Sequence, residues 1–342
     1  MCTIKVLSSS NLSESGVEIL ARRLSAASPH LDVDHLFVGP SVQQTTEIDK
    51  TASLSEHLAL LKNARLRGED EHLMVLGLPR STLHCSRIIE ELSRRGTRAT
   101  LLWERVGYDP VTILEGLPQL AGVASIATLN SLHSDFLRDA LPSSRVHKMS
   151  AALPKFLFPG EGTTGSLSTH FGYLGRVSES KGVYRLADVW SRVVYPSMGT
   201  VLEMRLLEPS DAQLRKLNAL AGVRASTLRS LFQRREFARK ARAIVFPASH
   251  DHLPQALLES MASGALVIVT PIVGHLDVVR NRQNGLVVDR DLSNLSTVVE
   301  EVQTLEAAAR SAMTSRASAD MRLQHSQEAS RRSMRTILGG VG

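Results

Sequence analysis

The stretch GYLGRVSESKGVYRLADVW, residues 172–190, joins a short apolar run to a helical pattern through a loop that carries two cations. Arg176 ends the apolar run, and Lys181 stands at or near the start of the helix. Because helix starts present unpaired N–H groups and a positive dipole, these cations favour a polyphosphate ligand. They could hold a diphosphate without a divalent metal. A solvated loop is the alternative interpretation.

Strand and helix patterns alternate on both sides of this stretch. Apolar runs separated by helices of about 10 to 15 residues predict parallel sheets covered on both faces. Strands are predicted at 4–9, 31–39, 71–79, 98–104, 122–130, 171–177, 200–208, 242–249, 265–271 and 285–289. Helices are predicted at 16–27 and 83–96, from 181 onward, at 211–222, 226–241 and 254–264, and from about 294.

We therefore expect an α/β fold with two doubly wound domains that face each other across a cleft. The predicted boundaries are 1–150 for the first domain, 151–170 for a linker and 171–310 for the second domain. The helical segment 311–342 could pack back onto the first domain. In open α/β sheets, ligands bind outside the carboxyl ends of the strands, which is where the loop after residue 176 lies.

Composition limits the possible functions. A chain of 342 residues is long enough for two domains of roughly 150 residues each. Two cysteines are too few for a disulfide framework. No apolar run approaches the ~18 residues of a membrane span and no signal-peptide pattern follows Met1, so we expect a cytoplasmic protein.

The net charge of +6 is concentrated at 228–242 and 330–335. Such segments favour anionic lipid, nucleic acid or phosphorylated ligands, and a solvated helix face is the alternative interpretation. An aromatic content of 4% gives little support to a protein that stacks on single-stranded nucleic acid.

A second motif, FPASHDHLPQALLESMASG, occupies residues 246–264. Pro254 suits the first helical position, and Gly264 suits the end of the helix. Asp251 lies in the preceding turn. Glu259 lies on the helix among apolar residues and needs a hydroxyl or cation partner if it is buried, or is a surface acid in a salt bridge. His250 and His252 could ligate a metal, but no third ligand is suggested nearby.

Residues 175–182, 246–279 and 284–289 together resemble the C-terminal half of the retaining, metal-independent GT-B glycosyltransferases of the "glycosyl transferases group 1" family. The resemblance spans roughly Gly172 to Asp289. It rests on a Gly-Arg followed by Lys-Gly, two acids separated by seven residues before Met-Ala-x-Gly, and a later Asn-Gly-Leu. In the first half, ESGVEILARRL at 14–24 resembles the glycine loop of the family more weakly.

The resemblance implies two Rossmann-like domains and transfer of a sugar from a nucleotide diphosphate sugar, without metal or other cofactor. It places the donor diphosphate on Arg176 and Lys181, the sugar hydroxyls on Asp251 and the ribose on Glu259. The implied catalytic residues are Asp251, Arg176 and Lys181. The implied donor-binding residues are Gly16, Gly175, Arg176, Lys181, Asp251, His252, Leu253 and Glu259.

The sequence departs from the family pattern at several positions. Asp251 and Asp277 replace glutamates, His275 replaces a glycine, and Glu104 or Trp103 stands where many members have a histidine. These changes motivate an alternative function, donor binding without transfer. The basic segments motivate another, transfer to modified nucleic acid. The acceptor is otherwise expected to be a saccharide, a lipid or a small molecule, with peripheral membrane contact possible through residues 229–242.

Overall fold

The structure is a computed structural model that describes residues 3–8, 23, 32–37, 71–76, 99–103, 125–140, 145–159, 170–228, 230–251 and 254–337. Its contacts divide the chain into two compact units. The first contains Met1–Ala152 and Gln327–Gly342, and the second contains Leu153–Ser326. Among the described residues, no helix is both long and apolar enough to cross a membrane.

The described part of the first unit forms a parallel sheet in the order β2-β1-β3-β4-β5-β6. Five of these strands confirm the predicted apolar runs, whereas β6, with its polar sequence RVHK, was not predicted. The helices predicted at 16–27 and 83–96 fall almost entirely outside the described residues. The strands are β1 Thr3–Ser8, β2 Asp32–Phe37, β3 Glu71–Leu76, β4 Ala99–Trp103, β5 Ser125–Thr128 and β6 Arg145–Lys148.

The second unit contains a parallel sheet in the order β12-β11-β10-β7-β8-β9. The chain builds outward from β7 to β9 on one side and from β10 to β12 on the other. Loops after β7 and β10 therefore leave the sheet at its topological switch point, the usual place for a ligand in this architecture. The strands are β7 Phe171–Arg176, β8 Leu202–Leu207, β9 Val223–Thr227, β10 Ile244–Phe246, β11 Val267–Val269 and β12 Leu286–Val287.

Capping residues explain where several helices begin. Ser210 forms a capping box with Gln213, and the Ser230 hydroxyl accepts from the Gln233 N–H. The helix predicted over 226–241 therefore starts only after Ser230, and Ser226 and Thr227 belong to β9 instead. The described helices are α1 Ser131–Ala140, α2 Val183–Val189, α3 Tyr195–Met198, α4 Asp211–Asn218, α5 Leu231–Lys240, α6 Gln255–Ala262, α7 Val273–Leu276, α8 Leu295–Thr304, α9 Ala307–His325 and α10 Gln327–Ile337.

The core of the second unit surrounds β7. Phe171, Tyr173 and Trp190 are its largest fully buried side chains, and the Phe171 and Trp190 rings lie 5.4 Å apart. Trp190 lies in a π-helical turn between α2 and α3, and its indole N–H donates to the Thr200 carbonyl at 3.0 Å. Burying each such ring is worth roughly 1.5–3 kcal/mol, so the sheet gives the switch-point loops a rigid base.

Candidate active site

The loops that follow β7 and β10 lie directly against each other. The Ser249 N–H donates to the Ser180 carbonyl at 2.9 Å. Arg185 on α2 donates through Nη2 to the Pro247 carbonyl at 2.7 Å. These bonds bring the segment that contains Arg176 and Lys181 beside the segment that contains Asp251, as expected from their places after adjacent strands.

Two glycines allow the first loop to follow this path. Gly182 has a φ of +68°, and a Cβ atom there would lie 2.2 Å from the Pro247 carbonyl oxygen. A Cβ atom on Gly175 would lie 2.6 Å from the Tyr173 hydroxyl oxygen. That hydroxyl donates to the Arg176 carbonyl at 2.8 Å. The backbone on both sides of the loop is therefore held close to its neighbours, and larger residues would displace it.

Lys181 and Asp251 form an ion pair between Nζ and Oδ2. The two residues are 70 positions apart in the chain, and their side chains are 34% and 14% exposed. Burial, followed by the negative charge of Asp251, raises the pKa of the Tyr173 hydroxyl, which therefore stays protonated and able to donate. The predicted phosphate-binding cation and the predicted sugar-facing acid are thus partners of each other in the structure.

His275 on α7 is buried near this pair. Its Nδ1 lies 2.9 Å from the Thr270 carbonyl oxygen, so Nδ1 carries the proton in the neutral ring. Burial lowers the pKa of His275 to about 4, while the Thr270 hydrogen bond and the charge of Asp251 act in the opposite direction. The imidazole is therefore neutral near pH 7, and His275, which stands where the family pattern has a glycine, adds no charge to the site.

Glu259 on α6 is 3% exposed, and its carboxylate is bound by Arg234 of α5. Arg234 Nη1 lies 3.1 Å from Glu259 Oε2, and the arginine side chain is 12% exposed. Because an unpaired buried carboxylate is costly, the cation partner expected for Glu259 is present. The alternative interpretation of Glu259 as a surface acid is wrong. Arg234 was not among the predicted site residues, because in the sequence it stands out only as one of the charges of the basic segment.

Several arginines of the basic segment have partners in the structure. Arg235 donates to Glu236 at 2.9 Å, and Arg239 lies 3.7 Å from the same carboxylate. Arg242 donates through Nη2 to the Gln303 carbonyl at 2.5 Å. These arginines are therefore partly buried and paired, whereas Lys240 is exposed. Pairing in the described part of the segment leaves less free charge for lipid or nucleic acid.

Some predicted residues lie outside the described part of the chain. They are Gly16, Glu104, His252, Leu253 and Arg229, so their assigned roles stay predictions. Within the described ranges, no group of three or more His, Cys, Asp or Glu side chains is arranged to hold a metal ion.

Residues 168–305 match the family model described as "Glycosyl transferases group 1". No curated protein matches the chain significantly. Sucrose-phosphate synthase from Thermosynechococcus elongatus superposes with a TM-score of 0.75 at 13% identity, over 98% of this chain and 98% of its own. HepE of Anabaena, solved with UDP and glucose, gives a TM-score of 0.70 at 11% identity, over 99% and 100%.

TarM gives a TM-score of 0.66 at 11% identity over 84% of this chain, which spans 59% of the TarM chain. At such identities these structures are evidence for the fold. The whole-chain matches confirm the GT-B architecture that the sequence predicts.

Proposed function

Residues 168–305 match the family model of glycosyl transferases group 1, and from this match we propose that the chain transfers a sugar from a nucleoside diphosphate sugar to an acceptor with retention of configuration. The observation that carries the proposal is the meeting of Lys181 with Asp251 at the switch point of the second sheet, in the loop that begins after Arg176. Cations and a carboxylate in one place suit the two halves of such a donor, an anionic diphosphate and a polyhydroxylated sugar.

The proposed chemistry relies on charge stabilisation at the leaving group. As the bond between the anomeric carbon and the diphosphate oxygen breaks, negative charge grows on the diphosphate, where Arg176 and Lys181 stabilise it. The acceptor oxygen forms the new bond to the anomeric carbon on the same face, and its proton passes to the departing diphosphate oxygen, so that a nucleoside diphosphate leaves. Asp251 accepts hydrogen bonds from sugar hydroxyls, and Glu259 accepts them from the ribose. No described side chain is assigned as a covalent nucleophile.

The Lys181–Asp251 pair also suggests an order of events. In the free protein each side chain satisfies the other. An arriving diphosphate takes over the contact with Lys181, which releases Asp251 toward the sugar. Exchange of one anionic partner for another avoids leaving a partly buried charge without a partner.

The donor base and the acceptor are open. HepE has been solved with UDP-glucose, and a TarM variant with UDP and alpha-GlcNAc-glycerol, so uridine nucleotides are the first donors to test. Saccharide, lipid and small-molecule acceptors all stay candidates, as does a cytoplasmic location with contact at the membrane. Donor binding without transfer is the alternative function, because Asp251 and His275 both depart from the family.

A thermal-shift panel of nucleotide sugars and free nucleoside diphosphates tests the proposal. A ligand at 100 times its dissociation constant stabilises the fold by about 2.7 kcal/mol, which is readily measured. Lys181→Ala should lose most of this response, whereas the control Lys240→Ala, at an exposed position of α5, should keep it. Absence of any response in the unmodified protein would refute donor binding, and binding without sugar release in any acceptor screen would favour the alternative.

A further inference from the structure

Arg234 and Glu259 come from two helices that begin at the same edge of the sheet. The helix α5 follows β9 and α6 follows β10, so both N-termini lie at the carboxyl ends of parallel strands. Arg234 is in the first turns of α5, and Glu259 is in the second turn of α6. The pair therefore lies on the ligand-binding side of the second unit and not at its rear.

The ion pair balances the charge of the buried Glu259 carboxylate and restricts its direction. At 3% exposure this group has little water to stabilise its charge, and the Arg234 guanidinium at 3.1 Å supplies the balancing cation. A guanidinium also donates from a planar, rigid fork, so it restricts the orientation of a bound carboxylate more than an ammonium does. Without Arg234, the carboxylate would lose the guanidinium that fixes its orientation and would be free to rotate.

We propose that Arg234 is a positioning residue that holds the Glu259 carboxylate in the orientation that binds the hydroxyls of the donor ribose. The inference rests on the proposed function, since it takes the ribose to be the ligand of Glu259. It adds that discrimination between ribose and deoxyribose depends on Arg234, a residue that itself makes no contact with the sugar. An ionised, fixed carboxylate accepts hydrogen bonds from hydroxyls, and a deoxyribose offers one hydroxyl fewer.

The neighbouring residue on α5 provides a matched control. Arg235 has a similarly buried side chain, 16% exposed, and pairs with Glu236 of the same helix at 2.9 Å. Replacing either arginine by lysine removes one guanidinium from the same helix and keeps the charge. Only the change at Arg234 removes the guanidinium that contacts the Glu259 carboxylate.

The experiment measures dissociation constants by calorimetry for UDP, GDP and ADP and for their 2′-deoxy counterparts. The base that binds most tightly is then used with Arg234→Lys, Arg234→Gln and Arg235→Lys, each checked for folding by circular dichroism. The unmodified protein should bind the ribonucleotide about tenfold more tightly than the deoxynucleotide, the worth of one hydrogen bond to a charged group. That ratio should fall to about threefold or less in Arg234→Lys and should persist in Arg235→Lys.

The outcomes separate the two claims. If the unmodified protein discriminates and Arg234→Lys discriminates equally well, the positioning role is wrong while donor binding stands. If the unmodified protein binds the nucleotide without any ribose preference, the inference also fails and donor binding again stands. If it binds none of the three nucleoside diphosphates, the proposed function fails together with the inference. Should Arg234→Gln unfold, Arg234→Lys still decides the question, because lysine retains the buried charge balance.

Discussion

Replacement of Asp251 by asparagine should strengthen the binding of a free nucleoside diphosphate while it weakens turnover of the intact nucleotide sugar. The carboxylate holds Lys181 in the free protein and so competes with the diphosphate for it. Asparagine keeps the size of the side chain and removes the charge. The sequence alone gives a different expectation, that Asp251 concerns the sugar and leaves the free nucleotide unaffected.

The size of the effect follows from the exposure of the pair. Solvent-exposed ion pairs contribute up to about 1 kcal/mol, and hydrogen bonds to charged groups about 1.5–3 kcal/mol. With Lys181 34% exposed and Asp251 14% exposed, the pair lies between these cases. A contribution of about 1.4 kcal/mol corresponds to tenfold tighter binding of the diphosphate. Loss of the sugar contacts should remove roughly 1.5–3 kcal/mol of transition-state stabilisation and lower kcat/KM correspondingly.

Calorimetry of a nucleoside diphosphate with Asp251→Asn, Lys181→Ala and the double variant separates competition from other causes. Lys181→Ala should weaken binding about tenfold or more, through loss of a charge-assisted phosphate contact. In the double variant the gain from Asp251→Asn should disappear, because the cation is no longer there to be released. Weaker binding of the diphosphate to Asp251→Asn would refute the competition and show that Asp251 orients Lys181 for its ligand.

Three further changes test other parts of the site. Adding EDTA should leave activity intact because Arg176 and Lys181 supply the positive charge at the diphosphate. Loss of activity on chelation would instead indicate that the reaction depends on a metal ion. Burial lowers the pKa of His275 to about 4, so the unfolded chain, titrating near 6.5, takes up the proton first. The free energy of unfolding should therefore fall as the pH drops from about 6.5 to 4, and His275→Gln should reduce this fall by up to about 3 kcal/mol, as measured by urea unfolding at each pH. An unchanged dependence of the free energy on pH in the variant would contradict the assignment. Gly182→Ala should lower the free energy of unfolding by more than about 1 kcal/mol, because φ is +68° and its Cβ would meet the Pro247 carbonyl; a neutral effect in the same assay would show that the loop can move.

Apolar strands were the predictable part of the fold. Strands such as β7 and β10 are buried on both faces of a parallel sheet, so their sequences are continuous apolar runs that stand out from the helices around them. Strand β9 was missed because only its first residue, Val223, is buried and the rest of VRAST is partly or fully exposed. The short helix α7 has too few residues to show a helical period.

Only the residues of the candidate site that belong to a local sequence motif could be predicted. The loops with Arg176, Lys181 and Asp251 were identified by the type and spacing of their residues, and the topology brings these loops together. The pairing of Glu259 with Arg234 joins helices that follow different strands, and no local spacing relates the two residues. The available signals were a buried-looking acid without a partner and an excess of arginine in 228–242, which together pointed to a cation from that segment.

The position of β7 at the centre of the second sheet also affects how this unit forms during synthesis. After β7 leaves the ribosome, its partner on one side, β8, follows directly, but Ile244 of β10 must still be made before it can pair with Gly172. Until then one edge of β7 is open, and its apolar side chains are available for aggregation or chaperone binding. A nascent chain that stops before β10 thus carries Lys181 without Asp251, and the ion pair on which the proposed donor site rests forms only with this late, long-range strand pairing.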